Sequence, residues 1–169
     1  GLGVPEDDVE AVKWYRLAAD QGSASAQFNL GGMYASGEGV HQDLAEAVKW
    51  WRLAAAGETG FYAQYRLGQA YSRGEGVTRD SAEAVRWFRL SAERGMASAQ
   101  EELGDLYYLG DGTAGIAQDR AAAARWYGLA AEQGNTSAQF SLGLMHSKGE
   151  GVLQDYAEAV KWWRLAAEQ

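Results

Sequence analysis

Apolar residues recur along this chain with the period of a helix, and they do so in the same order five times. The stretch AEAVKWWRLAA at 45–55 returns letter for letter at 157–167. Looser copies are VEAVKWYRLAA from Val9, AEAVRWFRLSA from Ala82 and AAAARWYGLAA from Ala121. In the 45–55 copy, Leu44, Ala47, Val48, Trp51, Ala54 and Ala55 share one face at 3.6-residue spacing. Trp50 and Leu53 widen that face, leaving Glu46, Lys49 and Arg52 for water, so the pattern predicts a helix buried nearly all round. Asp7, Asp43, Asp80, Asp119 and Asp155 each stand seven residues before their Trp, and Glu10, Glu46, Glu83 and Glu158 follow three residues later. Asp-x-x-Glu ahead of an apolar run marks a helix start in the capping-box style, the carboxylate taking a free backbone N–H. Ala122 breaks the pattern in one copy.

A second amphipathic element lies between the copies. Ala26, Leu30, Met33 and Tyr34 follow an i, i+4, i+7, i+8 pattern, repeated by Ala63-Leu67-Ala70-Tyr71, Ala99-Leu103-Leu106-Tyr107 and Ala138-Leu142-Met145-His146. Gly37 is placed to end the first of these helices. Gly31, Gly68, Gly104 and Gly143 always follow the Leu. Glycine inside a helix costs about 1 kcal/mol against alanine. Its return at one register predicts a close helix crossing that has no room for a Cβ.

The tryptophans Trp14, Trp50, Trp87, Trp126 and Trp162 lie 36, 37, 39 and 36 residues apart, and the extra residues fall between elements. Elements of fixed length joined by elastic loops are the mark of a solenoid, because two amphipathic helices cannot hide their apolar faces without a neighbouring pair. About nine helices are expected, and the Trp stripe reads as core.

These residues resemble the Sel1-like repeat, a relative of the tetratricopeptide repeat. The match runs through Ala26, Leu30, Gly31, Tyr34, Gly37, Gly39, Val40, Asp43, Ala47, Trp50, Ala54 and Ala55, with Gly22 and Gly134 at the inter-unit glycine. The resemblance implies an all-α, right-handed α/α superhelical solenoid of antiparallel helix pairs. It divides residues 1–169 into a single array, with a half unit at 1–22 and full units at 23–57, 58–95, 96–134 and 135–169. His146 in place of Tyr and the lengthened loop YYLGDGTAGIAQD depart from the family pattern. The opening half unit and the lack of an initiator Met suggest a piece of a longer array, whose terminal helices would associate end to end. Family members are mostly adaptors of protein complexes. Bacterial ones are often periplasmic or secreted, and eukaryotic ones serve in endoplasmic-reticulum quality control. A cysteine-rich bacterial branch is associated with penicillin binding and β-lactamase activity, which this cysteine-free chain gives no ground to carry over.

Composition narrows the function further. The chain has 23 acidic against 15 basic residues, a net charge of −8, which argues against a nucleic-acid or anionic-membrane surface. No apolar run approaches the roughly 20 residues that span a bilayer. With no cysteine, neither a disulfide framework nor a thiolate zinc site is available. His41 and His146 are far apart, and no metal or nucleophile motif appears. The GEGV turns at 37–40, 74–77 and 149–152 follow helices rather than strands, which fails the context of a phosphate loop. No catalytic residue, cofactor or metal is expected. His146 reads as a satisfied core or boundary imidazole.

On the Leu-centred helices, the side opposite the buried stripe changes from copy to copy. It holds Phe28, Gly32 and Ala35, then Tyr65, Gln69 and Ser72, then Glu101, Asp105 and Tyr108, then Phe140, Leu144 and Ser147. In tetratricopeptide-like solenoids these positions line the concave face. Phe28, Tyr65, Tyr108 and Phe140 are aromatics of the kind that anchor interfaces, with Leu144 beside them and Gln69, Glu101 and Asp105 as polar contacts. Arg73 and Lys148 at the groove edge would meet a partner's carboxylates. The expected function is a non-enzymatic scaffold holding a peptide or protein segment. A carbohydrate or cell-wall module is the alternative, and simple packing of the aromatics between neighbouring helices competes with both.

Overall fold

The computed structural model describes residues 7–57, 60–110 and 116–169. Residues 1–6 of the expected half unit, 58–59 of the AAAGETG loop and 111–115 of the lengthened loop lie outside the described residues. Among the described residues there are nine α-helices: α1 Asp8–Asp20, α2 Ala24–Ser36, α3 Leu44–Ala54, α4 Phe61–Arg73, α5 Ser81–Ala92, α6 Ala97–Leu109, α7 Arg120–Glu132, α8 Thr136–Lys148 and α9 Tyr156–Ala167. They fall in two compact units, Gly1–Asp80 with α1 to α4 and Ser81–Gln169 with α5 to α9. Within each, successive helices pack on one another, the arrangement of an α/α solenoid.

The aspartates do what their spacing predicts. Asp7, Asp43 and Asp119 each accept from the backbone N–H three residues on, at 3.1, 2.9 and 2.8 Å. Asp155 accepts from Ala157 and Glu158 at 2.8 and 3.0 Å. Each such cap contributes about 1 kcal/mol. The glutamates reach forward along their helices to a cation. Glu46 turns outward to Lys49 at 2.7 Å, Glu83 to Arg86 at 2.6 Å and Glu158 to Lys161 at 3.3 Å. Helix α2 stops at Gly37, which adopts the left-handed φ of 82° that only glycine takes at no cost.

The core corrects the expected Trp stripe. The side chain buried in the Trp-type helices is the residue after the recurring Trp: Trp51 is 8% exposed, Phe88 0% and Tyr127 3%. Trp50, Trp87, Trp126 and Trp162 are half-buried, and Trp14 is exposed. The deciding contact is with the mid-helix glycine. A Cβ built on Gly31 would stand 2.5 Å from the Trp51 indole, one on Gly104 2.5 Å from the Tyr127 ring and one on Gly143 2.5 Å from Trp163. The predicted close crossing exists, and it seats the second aromatic. Nor is the helix buried all round. Leu44 is half-buried, and Leu53 is exposed, as are its counterparts Leu17, Leu90, Leu129 and Leu165.

Two polar devices recur. Gln27, Gln64, Gln100 and Gln139 are buried, and their amides donate to Ala19, Ala55, Ala92 and Ala131 carbonyls at 3.0–3.1 Å. Each thereby satisfies a carbonyl at the end of the preceding helix. Arg16 donates to the Tyr34 hydroxyl, Arg52 to Tyr71 and Arg89 to Tyr107. The α7–α8 pair lacks this bond, because Gly128 and His146 stand at the two positions. His146 is not the satisfied imidazole expected: its Nδ1 is buried without a partner among the described residues.

Candidate functional site

Unit 1 contains a groove of about 910 Å³ formed by α1 to α4 and their turns. Phe28, Gln69 and Arg73 of the predicted set line it, with Trp51 and Gly32 in its wall. Its size lies within the roughly 300–1,000 Å³ of ligand sites. Phe28 is half-buried, its ring 6.1 Å from that of Tyr62. Tyr65 stands one turn from Gln69, whose amide donates to the Tyr65 hydroxyl at 2.9 Å. Arg73 is exposed at the end of α4, and its guanidinium has no hydrogen bond or ion pair among the described residues. Asn29, which carries no signal in the sequence pattern, lines the same groove with its amide equally unengaged among the described residues.

The counterpart positions in unit 2 are largely occupied by the protein itself. Glu101 accepts from the Asn135 amide at 2.7 Å, and Asp105 from the Tyr127 hydroxyl at 2.5 Å. Burial, with the Asp105 bond second, pushes the Tyr127 phenol well above its usual range. Tyr108 donates to Glu150 at 2.6 Å under the Arg120 guanidinium, 5.8 Å from the ring centre. That bond raises the Tyr108 phenol and holds Glu150 below the usual carboxylate range. These three residues are engaged by the protein's own side chains before they are contacts for a partner.

Phe140 is different. It is 59% exposed and lies 6.5 Å from Trp163, whose indole donates to the Phe140 carbonyl at 3.2 Å. The two line a recess of about 600 Å³ with Thr136, Ala166 and Ala167. Leu144 is half-buried and Lys148 exposed, neither of them in that recess. Of the predicted residues, Phe28, Gln69 and Arg73 share the unit 1 groove, while Tyr65 is bonded to Gln69. In unit 2, Glu101, Asp105 and Tyr108 are occupied, while Phe140, Leu144 and Lys148 do not share a recess.

Among the described residues, no group of three or more His, Asp or Glu could hold a metal ion. No described helix is long and apolar enough to cross a membrane.

The Sel1 repeat model matches residues 1–23, 24–58, 61–96, 97–135 and 136–169. The chain belongs to the Sel1 repeat family. Among solved structures, the Sel1 fold is shared with c5321, described as a protective antigen present in uropathogenic Escherichia coli strains and displaying an SLR fold. That similarity is 41% in identity with a TM-score of 0.95, over 100% of this chain and 35% of c5321. This chain thus spans about a third of the length of that relative. A Sel1 repeat protein from Oxalobacter formigenes is 35% identical with a TM-score of 0.90, covering 99% of this chain and 68% of the other. MamA, at 22% identity and a TM-score of 0.60 over 93% of this chain and 85% of its own, shares the fold alone. Comparison with curated protein sequences gives no match. Sel1 solenoids are typically protein-interaction scaffolds and generally non-catalytic.

Proposed function

We propose that this chain is a single Sel1 array over residues 1–169 that acts as a protein-interaction scaffold, and that the groove of unit 1 holds a peptide segment of its partner. The observation that carries the reading is the pairing, in one groove, of a partly open aromatic with polar groups that the fold does not use. Phe28 offers apolar area worth about 25 cal/mol per Å² once covered. Asn29 and Arg73 offer donors whose side chains make no hydrogen bond among the described residues. A helix surface that needed only solubility would not bring these together.

The test is capture of a partner from the source cell followed by titration of the purified pair. Phe28→Ala and Asn29→Ala should each weaken binding by about tenfold, or 1.4 kcal/mol, while the thermal midpoint stays within a degree or two of wild type. Equal loss of stability and binding would place Phe28 in the packing of the helices instead. Binding to a sugar array that ignores Arg73→Glu and high salt would favour the carbohydrate reading.

A further inference from the structure

Two glycines stand side by side in α2, and the packing of the protein explains one of them. A Cβ on Gly31 would collide with Trp51 at 2.5 Å. A Cβ on Gly32 would meet nothing within 4 Å. Gly32 is exposed, lies inside a helix and costs that helix about 1 kcal/mol against alanine. Its counterparts Gln69, Asp105 and Leu144 all carry side chains. Gly32 lines the groove of unit 1. Glycine at such a place lets another backbone approach the helix closely.

The charges around the groove are ordered. The turn after α2 lies on the start of α1, where a Cβ on Gly39 would be 2.2 Å from the Asp8 carbonyl. The turn after α4 lies on the start of α3, with the same 2.2 Å between Gly76 and the Leu44 carbonyl. These contacts gather Asp8, Glu38 and Glu75 at one end of the groove, against the single guanidinium of Arg73. Further in, Arg66 precedes Arg73 by seven residues, about 10 Å along α4 at 1.5 Å per residue. Among the described residues its one hydrogen bond goes to the neutral amide of Gln69, at 3.2 Å. The groove is therefore negative at its turn end and positive two helical turns deeper.

Resting on the peptide-binding reading above, we propose that the occupant is an extended peptide whose backbone passes over Gly32. It places a basic side chain among Asp8, Glu38 and Glu75 and an acidic side chain against Arg66 and Asn29. At about 3.3 Å per extended residue, 10 Å separates those two side chains by about three positions. An apolar residue between them covers Phe28. Charge complementarity at the two ends fixes the register, which a groove of one sign would leave free to slide.

The experiment is selection of a displayed random octapeptide library on the immobilised chain, followed by titration of the enriched peptides against variants. The expected result is enrichment of sequences with a basic and an acidic residue about three apart around an apolar one. Gly32→Leu should weaken them at least about tenfold without lowering the thermal midpoint, since the added side chain meets open space and improves the helix. Arg66→Glu should shift the preference at the acidic position to a basic residue. Enrichment of sequences without the charge pair, or equal binding by Gly32→Leu and Arg66→Glu, overturns this inference and leaves the peptide-binding reading standing. No enrichment over bare matrix removes both.

Discussion

Replacing Gly128 by Arg and His146 by Tyr together writes into the α7–α8 pair the bond that three other helix pairs already have. In unit 2 the template is Arg89 donating to the Tyr107 hydroxyl at 2.6 Å. A Cβ on Gly128 meets nothing within 4 Å, so the new side chain has room to leave the helix. Three effects add. Removing a glycine from a helix interior gains about 0.8 kcal/mol. A guanidinium–phenol hydrogen bond at the surface adds about 0.5–1 kcal/mol, the low end of the usual range because both groups are reached by water. Removing the His146 Nδ1, buried with no partner among the described residues, relieves a cost of about 1–3 kcal/mol. Their sum, about 2–5 kcal/mol, corresponds to a rise of roughly 4–20 °C in the thermal midpoint for a chain of this size.

Urea unfolding of the wild type, Gly128→Arg, His146→Tyr and the double variant separates these effects. The pair bond alone appears as the coupling energy of the cycle, about 0.5–1 kcal/mol in favour of the double variant. Unchanged slopes with denaturant would show that the unfolded state is the same in all four. A coupling of zero would mean that the repeated Arg–Tyr bond contributes nothing to the solenoid. A double variant less stable than wild type would mean that His146 is held by something the chain's own hydrogen bonds do not show.

Three further outcomes follow from single positions. Gly31→Ala should destabilise by about 1–3 kcal/mol because Trp51 has to move, whereas Gly32→Ala, one residue on, should stabilise by up to about 1 kcal/mol, and opposite shifts in urea midpoint check the pair. Gln64→Ala should cost about 1–3 kcal/mol in the same assay by removing the amide donor to the Ala55 carbonyl at the end of α3. The Tyr127 phenol is raised by burial and by Asp105, so the folded chain keeps a proton that the unfolded chain loses near pH 10. Stability from this group is complete below that pH and falls as pH rises above it. Tyr127→Phe should therefore lose less stability between pH 9 and pH 11 than wild type does.

Helix starts were legible in the sequence because capping is local: Asp43 and the Glu46 N–H are three residues apart wherever the helix goes. Which aromatic enters the core was not legible. Trp50 and Trp51 are neighbours on one broad apolar face, and only the contact with Gly31, twenty residues away, selects Trp51. The same breadth put Leu53 in the core, although a helix needs a facing partner over the whole stripe to bury it and α3 lacks one on that side. Gln27 and its counterparts were missed because a polar letter in an amphipathic pattern reads as solvent-facing. The recurring Ala-Gln pair was the available signal, and its reason lies in a carbonyl eight residues earlier.

The variable positions of the Leu-type helices divide by what the neighbouring aromatic demands. Trp51 and Trp163 send their indole N–H to the backbone carbonyls of Phe28 and Phe140, so the residues two after each Leu, Gly32 and Leu144, are left without that duty. Tyr127 carries its polar atom on the far end of the ring, and its hydroxyl takes the carboxylate of Asp105 at the same register. Asp105 at this position is thus explained by the helix packed against it. Gly32 has no such internal explanation, and in unit 1 it lies beside Asn29 and Arg73, whose side chains make no hydrogen bond among the described residues. A scaffold built from one repeated helix pair has few places where its own packing leaves a residue unassigned, and those are the places where a partner's chemistry has to be sought.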